Sequence, residues 1–223
     1  MPYLKENDRQ VLRDHFADLS RPVRLLVFTE AHGCPYCPHT RQLLEEVAGL
    51  SEHIELELLD RRAEPELAHR YGIDKVPAIV LLVGGGEPVD TGIRFFGIPS
   101  GYEFGTLVDD IVAASRGEPA LSPATRNWLA TLDRPLHLQV FVTPTCPYCP
   151  RAVSLAHRLA LASPLIRADM VEATEFPALA DRYEVYGVPR TVINDTVAVE
   201  GAVPERDLLG YLQEAATRAK QTA

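Results

Sequence analysis

Two stretches, GCPYCPHT at 33–40 and TCPYCPRA at 145–152, hold all four cysteines of this 223-residue chain. Two cysteines separated by two residues can form a reversible disulfide, clamp part of a metal site, or staple a loop. The element on which each pair sits separates these uses. A cysteine at a helix N-terminus faces unpaired backbone N–H groups and the positive end of the helix dipole. Both stabilise the thiolate, the reactive form of a group whose ordinary pKa is about 8.5. A proline at the next position suits the first helical turn, where its missing N–H is no loss. Two intervening residues bring the second sulfur back beneath the first, more enclosed and better suited to resolving a mixed disulfide than to opening one. On this reading Cys34 and Cys146 are nucleophiles, and Cys37 and Cys149 are resolving thiols.

A second feature recurs with the first. Val76-Pro77 and Val188-Pro189 each head an apolar run, and each proline lies 43 residues beyond its first cysteine. A proline cannot donate to a strand ladder, so it marks either a plain strand start or something specific. The specific reading is a cis-proline loop facing the cysteines. It keeps a main-chain donor away from the sulfurs and leaves the valine backbone free to pair with an extended substrate. Tyr36 and Tyr148 would shape the rim of each site. The substrate-binding set is therefore Val76, Pro77, Val188, Pro189, Tyr36 and Tyr148. His39 and Arg151, just after the motifs, read as solvated helix positions, and Trp128 reads as packing.

The elements that position these residues occur twice. Residues 34–80 and 146–192 align without a gap at an offset of 112, with 17 of 47 positions identical. LSRPVRLLVF (19–28) matches LDRPLHLQVF (132–141) at an offset of 113. Copies longer than about 100 residues are duplicated domains rather than solenoid units. The turn-rich SRGEPALSP (115–123) separates them, giving domains 1–117 and 118–223, with Ser122-Pro123 opening the second as N-cap and first helical residue.

Within one copy, Val11, Leu12, Phe16 and Leu19 recur at helical spacing. VRLLVF (23–28) is a strand covered on both faces, and the CPYC segment leads into a helix carrying Leu43, Leu44 and Val47. HIELELLD alternates, as in a strand exposed on one face. A short helix near 64–71 leads through the Val-Pro pair to AIVLLV, and GGGEP joins it to TGIRFFG as a hairpin. Ser100 then caps a final helix. The order α-β-α-β-α-β-β-α predicts a mixed sheet with helices on both sides.

Composition narrows the function classes. Hydrophobic residues make up 46% and charged residues 24%, as in ordinary globular proteins, and a net charge of −9 argues against nucleic acid. MPYLKENDRQ lacks the apolar core of a secretory signal, and the longest apolar run is too short to span a bilayer. The expectation is a cytoplasmic protein without a membrane partner, where disulfides are usually catalytic or transient. No phosphate loop, nicotinamide fingerprint or flavin motif occurs, so no cofactor and no metal are expected.

CPYC with a Val-Pro loop on this element order resembles the thioredoxin/glutaredoxin superfamily. The tandem arrangement, with FVTPTCPYCP, ADMVEATEFPALADRYEV and RFFGIPSGYEF, resembles the glutaredoxin-like, PDI-like protein disulfide oxidoreductases of thermophilic archaea and bacteria. The resemblance covers essentially the whole chain. It implies an α/β fold of two tandem thioredoxin-like domains, each with a mixed central sheet and helices on both faces. It also implies reduction, formation and possible rearrangement of disulfides in protein substrates, with Cys146 favoured if one site dominates. Turnover would draw on a thioredoxin-reductase-like flavoenzyme or a small thiol. Thioredoxins proper place Trp before CGPC and a buried acid in the preceding strand. Here Gly33 and Thr145 precede the cysteines, Glu30 is the one candidate acid of the first site, and the second has none in VFVTPT. The alternatives are a tetrathiolate zinc site shared by both CxxC pairs, and a chaperone-like peptide binder without redox turnover.

Overall fold

The computed structural model describes residues 2–117 and 119–221. The chain runs α1 (Glu6–Phe16), β1 (Val23–Thr29), α2 (Cys37–Ala48), β2 (Ile54–Asp60), α3 (Pro65–Arg70), β3 (Ala78–Val83), β4 (Val89–Phe96) and α4 (Tyr102–Arg116). It then repeats the order as α5 (Pro123–Leu129), β5 (Leu136–Val142), α6 (Cys149–Ala162), β6 (Ile166–Glu172), α7 (Pro177–Arg182), β7 (Arg190–Ile193), β8 (Val197–Glu200) and α8 (Glu205–Gln221).

Each half builds a four-stranded mixed sheet. β1 pairs parallel with β2 and antiparallel with β3, and β5 pairs in the same way with β6 and β7. The two halves then join. β4 lies parallel to β6, with Ile93 opposite Ala168 and Phe96 opposite Val171, so eight strands form one sheet in the order β2-β1-β3-β4-β6-β5-β7-β8. An unpaired strand edge invites pairing, and here each half covers the other's edge. The two copies share one apolar–polar order, yet IELELLD stays at the rim as β2 and is partly exposed, while IRADMVE, paired on its second side with β4, is buried almost throughout as β6. Two apolar layers cover the faces. One is built with α1, α2, α4, α6 and α8, the other with α3 and α7.

Local signals explain most element ends. Ser122 accepts from the Thr125 amide at 3.2 Å and Pro123 begins α5, as its sequence predicts. Asn194 and Asp195 both take positive φ in the three-residue turn between β7 and β8, where the Thr196 amide donates to the Ile193 carbonyl at 3.1 Å. Three expectations are corrected. Val11 is exposed, because α1 turns only Leu12 and Phe16 inward. Ser100 does not cap α4. Gly101 stands there with φ +60°, a left-handed conformation that glycine adopts without a Cβ clash. The first-turn prolines of α2 and α6 are Pro38 and Pro150, while Pro35 and Pro147 lie ahead of the helices. The inferred domain boundary falls at residue 118, outside the described residues.

Since β1 and β5 run parallel in one sheet, both CPYC motifs emerge at the same end of the strands, four strand positions apart. At about 4.8 Å per strand this separates the pairs by about 19 Å.

Candidate active site

At the second motif α6 begins on Cys149, with Tyr148 as N-cap. The Cys149 amide points at the Cys146 sulfur, N to Sγ 3.2 Å. This is the helix-terminal donor that would hold a thiolate. Across the cleft the Cys146 thiol reaches the Val188 carbonyl oxygen at 3.6 Å. Cys146 keeps 8% of its surface exposed and Cys149 none. Burial pushes the Cys149 thiol well above its ordinary pKa, and its hydrogen bond with Cys146, the Cys146 charge and Glu103 add to the rise.

The first motif has the same frame in another covalent state. Cys34 and Cys37 are joined by a disulfide, their Cα atoms 5.4 Å apart, whereas Cys146 and Cys149 are free thiols. Cys37 begins α2 and is buried, with Tyr36 as N-cap. Both Val76-Pro77 and Val188-Pro189 are cis, as the specific reading of those pairs anticipates. The proline carbonyls accept from Gly97 and Gly201 at 2.9 and 2.8 Å, which anchors each loop to the following hairpin.

Glu30, the one acid anticipated for the first site, is nearly buried. Arg61 and Arg62 pair with its carboxylate and hold its pKa below the ordinary value against the opposing effect of burial. It is an ion-pair member rather than a neutral proton carrier. His39 contacts the Tyr3 hydroxyl, and Arg151 is exposed.

The second site has an acid after all, supplied by the other half. Helix α4 packs against α6 and carries Glu103 and Asp110 into the junction, both almost wholly buried. Glu103 Oε2 accepts from the Thr106 hydroxyl at 2.9 Å, while Oε1 meets no hydrogen-bond partner among the described residues. Burial raises its pKa to about 7, with a smaller push from Asp110, against lowering by Thr106 and His157. One layer deeper, His157 Nδ1 lies 2.5 Å from Asp110 Oδ2, and the imidazole stands edge-on to Phe95. The loop before α4 ties the halves at the same place. The Tyr102 amide donates to the Pro144 carbonyl at 3.1 Å, and the Ile98 amide to Glu175 at 2.7 Å. Glu175 is likewise raised to about 7 by burial and by the neighbouring Glu172.

Comparisons with known proteins agree with this geometry. The thioredoxin domain family matches residues 136–213. The structure superposes on a protein disulfide oxidoreductase from Aeropyrum pernix K1 with a TM-score of 0.88 and 32% identity, covering 97% of this chain and 95% of that one. The chain belongs to the thioredoxin-like protein disulfide oxidoreductases. It also matches the N-terminal N/C domain of the alkylhydroperoxide reductase AhpF from Enterococcus faecalis, with a TM-score of 0.85 and 31% identity over 93% of this chain and 99% of that chain. Among curated proteins, the F component of alkyl hydroperoxide reductase in Staphylococcus epidermidis is 26% identical over 172 residues, 77% of this chain. The oxidoreductase spans 31% of that relative's length.

The structure places each CPYC pair, with its tyrosine and its Val-Pro loop, at the same end of the sheet, one set in each half. A zinc site shared by the two pairs is ruled out by their separation, since a tetrathiolate needs four sulfurs within about 2.3 Å of one ion. Sequence reading missed Glu103, Asp110 and His157. Among the described residues no helix is long and apolar enough to cross a membrane.

Proposed function

We propose that each half, 1–117 and 118–223, carries a dithiol–disulfide redox site acting on protein disulfides. The observation that carries this is the Cys146 sulfur held between the Cys149 amide and the Val188 carbonyl, with the second thiol buried beneath it. In the reductive direction the Cys146 thiolate attacks one sulfur of a substrate disulfide. A mixed disulfide forms and the other substrate sulfur leaves as a thiolate. Cys149 loses its proton and attacks Cys146, which releases the second substrate thiolate and leaves a Cys146–Cys149 disulfide. Two electrons pass to the substrate, and the released thiolates take up protons.

Burial opposes ionisation of Cys149, so its attack needs a nearby base. Glu103 fills that role as the proton acceptor: its free Oε1 and its pKa near the working pH suit a group that takes a proton and gives it back. The reverse sequence forms disulfides, and attack on a mispaired substrate followed by its release would rearrange them. Val188-Pro189 and Val76-Pro77 hold an extended substrate segment by its main chain, and Tyr148 and Tyr36 border it. Cys34 and Cys37 follow the same scheme with Glu30 excluded as base. Electrons come from outside the chain, from a thioredoxin-reductase-like flavoenzyme or a small thiol, in the cytoplasm.

The test is reduction of insulin disulfides by dithiothreitol with the variants Cys34→Ser, Cys146→Ser and the double variant. Each single variant keeps part of the rate and the double variant falls to the uncatalysed level. Full activity in the double variant would refute the redox role of both pairs.

A further inference from the structure

The two sites share the CPYC motif but not the rim around it. At the repeat offset, Arg61, Arg62 and Asp74 of the first copy correspond to Ala173, Thr174 and Tyr186 of the second. Around the first site Arg61 and Arg62 flank Glu30, with the Arg62 side chain 71% exposed. Asp74, just ahead of the Val-Pro loop, is 75% exposed and paired with Lys75, whose ammonium lies 3.8 Å from the centre of the Phe96 ring. That rim is charged.

The second rim is not built this way. Ala173 is buried, and the Thr174 hydroxyl turns back to Glu172 at 2.7 Å. Tyr186 is 92% exposed and Tyr148 63%. A ring that exposed contributes almost nothing to the core, so packing does not account for tyrosine at 186. Its position in the chain suggests a use. Tyr186 stands two residues before Val188, whose carbonyl meets the Cys146 thiol, and Tyr148 stands two residues after Cys146. Two residues of chain span at most about 7 Å, so both rings lie within reach of a substrate residue next to the attacked sulfur, one from each loop that frames it. The nearest charged neighbours along the two loops, Glu184 and Arg151, are of opposite sign.

We infer that Tyr186, with Tyr148, is a specificity-determining residue that makes the second site select disulfides bordered by aromatic or large apolar side chains. The first site, with Asp74 in the corresponding place, lacks this selection. The inference rests on the reading of both CPYC pairs as redox sites. Aromatic contacts of this kind are worth about two- to tenfold in rate.

The experiment isolates each site in the full chain, using Cys34→Ser/Cys37→Ser to leave the second and Cys146→Ser/Cys149→Ser to leave the first. Reduced protein reacts with peptides carrying one intramolecular disulfide that differ only in the residue before the attacked cysteine, Phe or Ser. The second-order rates give a Phe/Ser preference. The second site shows a preference of about two- to tenfold, Tyr186→Phe keeps it, and Tyr186→Asp brings it to about one. The first site shows none, and Asp74→Tyr introduces it. Circular dichroism confirms that each variant is folded. A preference unchanged in Tyr186→Asp, or equal at the two sites, overturns the inference. A second-site protein that reduces neither peptide overturns the redox reading itself, and this inference with it.

Discussion

Replacing Glu103 by Gln separates catalysis from stability, because the two respond in opposite directions. The carboxyl is 1% exposed, one of its oxygens lacks a partner, and its pKa is raised from 4.5 to about 7. A raised carboxyl favours the fold when protonated. Its contribution is complete below the unfolded value of 4.5 and is lost as pH rises through about 7. The whole displacement corresponds to about 3 kcal/mol, so the neutral amide should raise stability at pH 8 by up to that amount and leave it nearly unchanged at pH 4.5. Urea unfolding at the two pH values measures this. Activity should move the other way. In Cys34→Ser/Cys37→Ser protein, a chromogenic aromatic disulfide releases one equivalent of dye thiolate when Cys146 attacks and a second when Cys149 resolves. The second phase should rise with pH through about 7, the value at which Glu103 ionises. In Glu103→Gln it should slow by about a hundredfold, the scale of a lost general base, and lose that inflection. Glu175 also titrates at about 7, so Glu175→Gln is the control and should retain the inflection. A second phase in Glu103→Gln that matches the parent in rate and pH profile would refute the assignment of Glu103.

Two further substitutions probe the junction. Gly101→Ala places a Cβ 2.1 Å from the Pro144 carbonyl oxygen at a φ of +60°. It should cost more than about 2 kcal/mol of stability and lower second-site activity more than first-site activity, read by thermal melting and by the single-site proteins. Asp169 is fully buried between His137 at 2.6 Å and the Arg167 guanidinium at 2.8 Å, which hold its carboxyl well below the usual range. Its contribution is present above pH 3.8 and is lost as pH falls through its lower folded value. Asp169→Asn leaves Arg167 without its carboxylate and should cost about 3 kcal/mol at pH 7. The check is a lower urea midpoint with an unchanged slope.

The order of elements, the duplication, the four cysteines and the two Val-Pro loops are legible in the chain because each depends on short-range rules. A helix terminus, a strand covered on both faces and a proline at a loop leave their marks within a few residues. IELELLD and IRADMVE carry the same apolar–polar order, so the strand left at the sheet's rim and the one enclosed by the join are not told apart within these short segments. Val11 and Ser100 mislead for the same reason: helical spacing does not set which face meets a neighbour, and a serine before a helix need not be the residue that caps it.

What tertiary structure alone decided is the join between the copies and what it places beside the second site. Glu103 sits in the first turn of α4, where a carboxylate ordinarily faces water and favours the helix dipole. Nothing local distinguishes it from Glu6, which occupies the first turn of α1 and is exposed. Only the parallel pairing of β4 with β6 lays α4 against α6, removes that carboxyl from water and sets it near a thiol 46 positions further along the chain. Desolvation belongs to the packed assembly of both halves, so neither copy of the repeat contains it alone.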